Sequence, residues 1–225
     1  MLKYILIGIG SIALFLIAII IFIHVIFYII FGKSYNMKDL INNYENNTQE
    51  IVQLIEYYSS IVPDNFRVSI EFNSVNSINL RVWELSDDPN TQNTLWFQEW
   101  NINPYNYIEK PQSEYEKKYG GKTKSLSLIK DKLGWSDHTF REIKVYLDKA
   151  DCISISNGDV FRIGFQRSGM SKYYYLVFED NLDKELQQEY SNNCNLLFYK
   201  DNIVFYYGIG AIGRECTPEF RIKDN

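Results

Sequence analysis

An uninterrupted apolar run near the amino terminus limits this chain more than any other feature. Residues 4–31 read YILIGIGSIALFLIAIIIFIHVIFYIIF and contain no Asp, Glu, Lys or Arg. A helix needs about 20 apolar residues to cross a hydrocarbon layer of roughly 30 Å. The run therefore predicts a transmembrane anchor over residues 1–33, with tilt or overhang taking up the surplus length. A cleaved signal would carry an apolar region of only about 7–15 residues and a small-residue cut site. The exit reads FGKSYN, and no cysteine precedes Cys152, so neither a cleaved nor a lipoprotein signal is expected. Lys3 on one side nearly balances Lys33 and Lys38 on the other. Long domains translocate largely regardless of such charges. The expected orientation is N-in, C-out, with a single-pass membrane contact through residues 4–31 and the remainder in the periplasm. His24 is the one ionisable residue of the span, and no second polar residue stands at helical spacing to form a relay. It reads as an imidazole near the interface or bonded to a carbonyl. Gly8 and Gly10 permit close approach but make no G-x-x-x-G motif.

Residues 34–225 have the length of one domain able to bury its own core. Asn36 with Asp39 resembles a helix N-terminus. Leu40, Ile41, Tyr44, Ile51, Ile55 and Tyr58 recur at steps of three, four and seven, which predicts one amphipathic helix over 34–62, ending before Pro63. A sheet-and-helix body over 63–225 follows. Strand patterns cover 67–72, 78–85 and 94–100, and in the first Val68, Ile70 and Phe72 alternate with polar residues, as in a sheet wet on one face. Residues 101–121 are polar and carry two prolines and Gly120-Gly121; loops of that length often make contacts. Leu126, Ile129 and Leu133 line one helix. Phe140, Ile143 and Leu147 line another, capped by Ser136 or Asp137. Strands near 152–156, 160–166 and 172–178 come next, with Asn157-Gly158 a hairpin signal. A short helix with Leu182, Leu186 and Tyr190 precedes a final hairpin over 195–200 and 203–207. That hairpin is apolar on both faces, which predicts a mid-sheet or interface position. Hairpin-length connections make the fold class α+β, with one mostly antiparallel sheet and flanking helices behind the transmembrane helix.

A net charge of -5 argues against a nucleic-acid partner, which needs clustered Lys and Arg. Aromatic residues reach 16% of the chain. Tyr and Trp join a large apolar area to a polar tip and suit sheet faces and recognition surfaces. Trp96, Trp100, Tyr105, Tyr107 and Tyr115 form the candidate contact surface. Trp96 and Trp100 are expected on one face of their strand, with Glu99 on the other.

No Ser-His-Asp, H-E-x-x-H, P-loop or EF-hand pattern occurs. Gly208 to Gly213 spell G-x-G-x-x-G, but Pro218 and the remaining length leave no room for a βαβ unit, so the glycines read as a turn. Cys152, Cys194 and Cys216 are too sparse for zinc, and neither a metal nor a cofactor is expected. In an oxidising compartment Cys194 and Cys216 would pair across the terminal hairpin, with Cys152 an inert thiol. The alternatives for chemistry are a Cys152–His138 dyad, weakened by the apolar run that raises a thiol's pKa, and an enzyme of glycan or peptide using Glu99, Asp159 or Cys152.

From Leu133 to Phe220 the phrases LGWS, DKADCISIS, IGFQRSGM, KYYYLVF and YYGIGAIGREC, with CTPEF following, resemble single-pass envelope proteins of Bacteroidota. No enzymatic motif is attached to that group. The resemblance implies envelope placement, and such small anchored proteins include immunity proteins that neutralise antibacterial toxins. The expected function is a membrane-anchored, non-enzymatic domain that binds a protein partner. An envelope enzyme and a structural or sensory subunit of a membrane complex remain the alternatives.

Overall fold

The computed structural model describes residues 15–26, 35–86, 93–109, 124–168 and 171–208. Within the apolar run, residues 15–26 are helical and exposed; the rest of 4–31 lies outside the described residues. Among the described residues no helix is long and apolar enough to cross a membrane. The single-pass transmembrane anchor is thereby corrected, and with it the membrane contact, the N-in, C-out orientation and the periplasmic placement that rested on it. Apolar composition alone had set that expectation.

Asn36 caps the first helix of the body, α1 (Met37–Asn46). Its Oδ1 accepts from the Lys38 and Asp39 N–H groups at 2.8 and 3.2 Å, and Asp39 Oδ2 accepts the Asn36 N–H at 3.0 Å. This reciprocal pairing satisfies donors that a helix start leaves open. Asn47 then divides the single helix expected over 34–62. Its amide donates to Asn43 Oδ1 at 2.7 Å, and the Thr48 hydroxyl donates to the Tyr44 carbonyl at 2.6 Å. Such local side-chain bonds compete with helix continuation, and α2 (Thr48–Ile61) starts afresh.

The remaining elements are β1 (Phe66–Ser74), β2 (Ser77–Glu84), β3 (Thr94–Ile102), α3 (Leu126–Leu133), α4 (Asp137–Lys149), β4 (Ser154–Ser156), β5 (Phe161–Ser168), β6 (Ser171–Val177), α5 (Lys184–Ser191), β7 (Leu196–Lys200) and β8 (Ile203–Gly208). All eight strands join one sheet in the order β3-β2-β1-β4-β5-β6-β8-β7, and every pairing is antiparallel. The class is α+β. β7 is an edge strand and half-exposed throughout, so the apolar final hairpin does not sit mid-sheet. Its outer strand places Tyr199 on the Phe205 ring at 4.4 Å instead.

Helices cover one face of the sheet. Tyr44 of α1 packs against Tyr175 and Phe205, and the Tyr58 hydroxyl of α2 donates to the Val68 carbonyl at 3.2 Å. α4 docks on α2 with Tyr57 and Tyr146 stacked at 4.4 Å. Under them Val68, Ile70, Leu80, Val82, Ile155 and Ile163 are fully buried. The alternate positions of the same strands point away from the helices, because successive strand side chains face opposite ways.

The seam between β1 and β4 joins the two halves of the sheet. Asn157, just past β4, extends it. Its Oδ1 accepts the Val68 N–H at 2.7 Å and its Nδ2 donates to the Phe66 carbonyl at 2.9 Å.

Candidate functional site

The sheet face that no helix covers among the described residues is concave at its centre and encloses about 820 Å3. Strand pairing explains its shape. One cross-strand row runs Arg81, Ser69, Ser156, Arg162 over β2, β1, β4 and β5. The next runs Asn79, Glu71, Ser154, Gly164, Tyr174. Small side chains along the seam make a low floor, and long ones on either side make the walls.

Each wall is a guanidinium laid on an aromatic ring. The Arg81 guanidinium lies 5.6 Å from the Trp100 ring centre. That of Arg162 lies 5.8 Å from the ring centre of Tyr174 and 5.5 Å from that of Tyr206, and these two tyrosines stack at 5.5 Å. Cation–π contacts of this kind hold an arginine in one orientation without consuming its hydrogen-bond donors. Arg67 sits at one end, 3.4 Å from the exposed Asp159 carboxylate. A side chain at Gly158 (φ +151°) would meet that guanidinium at 2.8 Å, so the glycine of the Asn157-Gly158 turn is what lets Arg67 lie there.

The other end holds a buried ion pair. Lys172 Nζ donates to Glu71 Oε2 at 3.0 Å and to Ser154 Oγ at 3.1 Å, while Arg167 bonds Glu71 Oε1. Both Lys172 and Glu71 are nearly covered, at 10% and 13% side-chain exposure. Gly164 makes this possible, because a Cβ there would stand 2.1 Å from Ser154 Oγ and 3.1 Å from Lys172 Cδ. Burial pushes the Glu71 carboxyl up, but Lys172 and Arg167 outweigh it and hold it below the usual glutamate range. For Lys172 burial dominates and lowers its pKa despite the Glu71 charge.

A depressed carboxyl pKa contributes stability that is present above the unfolded value, about 4.3. That contribution disappears as pH falls through the lower folded value. Thermal midpoints are thus expected to fall between pH 5 and pH 3, and the Glu71→Gln variant to lose part of that dependence. An identical pH profile for the variant would remove Glu71 as a source.

The sequence-based contact surface is dispersed by the structure. Trp100 stays on the open face, 51% exposed. Trp96 does not share that face. Leu95 pairs with Trp83 and Phe97 with Val82, so Trp96 is the extra residue of a bulge. It turns to the helix side, against Phe66 at 5.3 Å, with its N–H donating to Glu84 at 3.0 Å. Tyr105 is half-buried under Arg141, at 5.0 Å, and Tyr107 donates to Glu99, on the side away from the groove. Tyr115 lies outside the described residues.

The proposed chemical groups do not converge either. Cys152 is buried, and burial raises its thiol pKa. Its sulfur donates to the Ala150 carbonyl at 3.3 Å, and the Asn43 amide points at it from 4.0 Å. His138 stands at the opposite end of α4, and that helix separates the two by about 18 Å of rise. Cys194 is disulfide-bonded; Cys216, with which it was expected to pair, lies outside the described residues. The glycines after Gly208 do as well. Among the described residues no group of three or more His, Cys, Asp or Glu side chains stands close enough to hold a metal ion.

Sequence reasoning missed Arg67, Arg81, Arg162, Arg167 and Lys172 as a set. The signal was present in part: Arg67 and Arg81 occupy polar positions of alternating strands, but the five cations are scattered over β1, β2, β5 and β6, and only the seam brings the two pairs of strands together. No protein-family model, no curated protein and no solved structure matches this chain.

Proposed function

We propose that the chain is a non-enzymatic binding domain that engages a protein partner through the open face of its sheet. The observation carrying this reading is the groove itself: a serine floor on paired strands, walled by guanidiniums fixed on aromatic rings. Arginine, tryptophan and tyrosine are the residues in which binding energy concentrates at protein interfaces. Strands hold them more rigidly than loops would, so little side-chain entropy is lost on association. The carboxylates in the groove support binding rather than acid–base work. Glu71 is already bonded by two cations, and Asp159 faces solvent beside Arg67. A toxin neutralised by being covered is one partner that such a face would serve.

The test is a photocrosslinking amino acid placed at Ser69 or at Ser156, with a control at Val145 on the exposed side of α4. In the protein's own cells, discrete protein adducts are expected from the two groove positions and not from the control. Adducts equal at all three positions, or none from the groove, would overturn the reading.

A further inference from the structure

The groove is positive on a chain that is otherwise acidic. Arg67, Arg81, Arg162, Arg167 and Lys172 line it against two carboxylates, Glu71 and Asp159, whereas the chain as a whole carries -5. Three of these cations are engaged with Glu71 or Asp159. Arg81 and Arg162 make no ion pair among the described residues, and both are exposed. They stand at opposite ends of one row, separated by three strand spacings of about 4.8 Å each.

From this we infer that the partner segment received by the groove is an extended acidic peptide, whose carboxylates are taken by Arg81 on one wall and Arg162 on the other. The inference rests on the binding reading above and specifies its ligand. Successive side chains of an extended chain point to opposite sides, so neighbouring carboxylates reach opposite walls while the backbone runs over Ser69 and Ser156. A guanidinium held over a ring by cation–π attraction keeps its donors free for a carboxylate, which it can pair in bidentate fashion. The low floor leaves room for a backbone, and the serine hydroxyls offer it hydrogen bonds. A nucleic-acid strand fits the charge pattern less well. Backbone neutralisation needs a denser run of unpaired cations than Arg81 and Arg162 supply.

The experiment measures fluorescence anisotropy of the full chain with three labelled probes: a short glutamate-rich peptide, its glutamine counterpart and a single-stranded oligothymidylate of similar length. The glutamate peptide is expected to bind. The R81E/R162E variant should weaken that binding at least about tenfold, and R81K/R162K should weaken it less. K184E, a charge reversal on exposed α5, should leave it unchanged. Circular dichroism and thermal midpoints show whether each variant folds. Equal binding of the glutamine peptide, an unaffected R81E/R162E protein, tighter binding of oligothymidylate, or no binding of the glutamate peptide would each overturn the acidic-segment inference. Groove adducts in the crosslinking test would leave the broader reading standing in those cases. Loss of both results would remove both.

Discussion

Replacing Glu71 with alanine is expected to lower stability by about 3 kcal/mol, because it leaves the Lys172 ammonium buried without its counter-ion. In a chain of this size that corresponds to a thermal midpoint lower by roughly 6–12 °C. Ser154 Oγ, the other acceptor of Lys172, is neutral and compensates only weakly. Arg167 is half-exposed and simply turns to solvent, so the loss belongs to Lys172. The double variant E71L/K172M separates mechanism from mere disruption. Replacing a buried pair with apolar residues of similar size is often neutral or better, so the double variant should recover most of the loss. A single variant losing less than about 1 kcal/mol, or a double variant worse than the single, would show that the pair is not effectively desolvated.

The second large effect lies on the helix side of the sheet. Asn43 is 7% exposed and joins three segments. Its amide donates to the Ala150 carbonyl at 3.1 Å and to the Tyr175 hydroxyl at 2.9 Å, and that hydroxyl donates to the Leu40 carbonyl at 3.0 Å. Asn43→Leu keeps the volume and strips the Ala150 carbonyl of this partner in a place water does not reach. A loss of about 2–4 kcal/mol is expected, one to three for each stranded polar group. Tyr175→Phe removes only one end of the chain and should cost about 1–2 kcal/mol. Urea midpoints with unchanged m-values check both. If Asn43→Leu were neutral, α1 would not be fastened to the sheet through this amide.

Local signals carried much of the fold. Alternation in Arg67–Phe72, the Asn157-Gly158 turn and the stripe Phe140, Ile143, Leu147 each depend on neighbours within a few residues, and each element formed near its expected bounds. The single helix over 34–62 failed at Asn47 because side-chain bonds from Asn47 and Thr48 compete with the helical ladder, an effect that periodicity does not register. Trp96 was assigned to the wrong face because period-two counting assumes an unbroken ladder, and one bulge inverts every assignment on its far side. The apolar run was read from hydropathy, which measures composition, and among the described residues no helix is long and apolar enough to cross a membrane.

The site was the least legible part. Its cations are ordinary polar positions of strands until β1 and β4 pair, and nothing local to either strand names the other as its neighbour. Trp100 was named as a contact residue for its ring, whereas the structure shows it exposed and supporting the Arg81 guanidinium. Lys172 in the apolar context KYYYLVF reads as a solvated sheet residue. Only Gly164 and Ser154, across the strand, show that it is buried.

The β1–β4 seam also orders events during folding. Ser69 and Ser156 meet across nearly ninety residues of chain, whereas β1–β2–β3 and β5–β6 are joined by short connections. Closing so long a loop is entropically slow compared with forming hairpins, so the two half-sheets are expected to exist before they dock. No half-folded species then owns a groove, since its floor is the docking line. A ligand seated there binds only the completed molecule and, by mass action, shifts the population toward it.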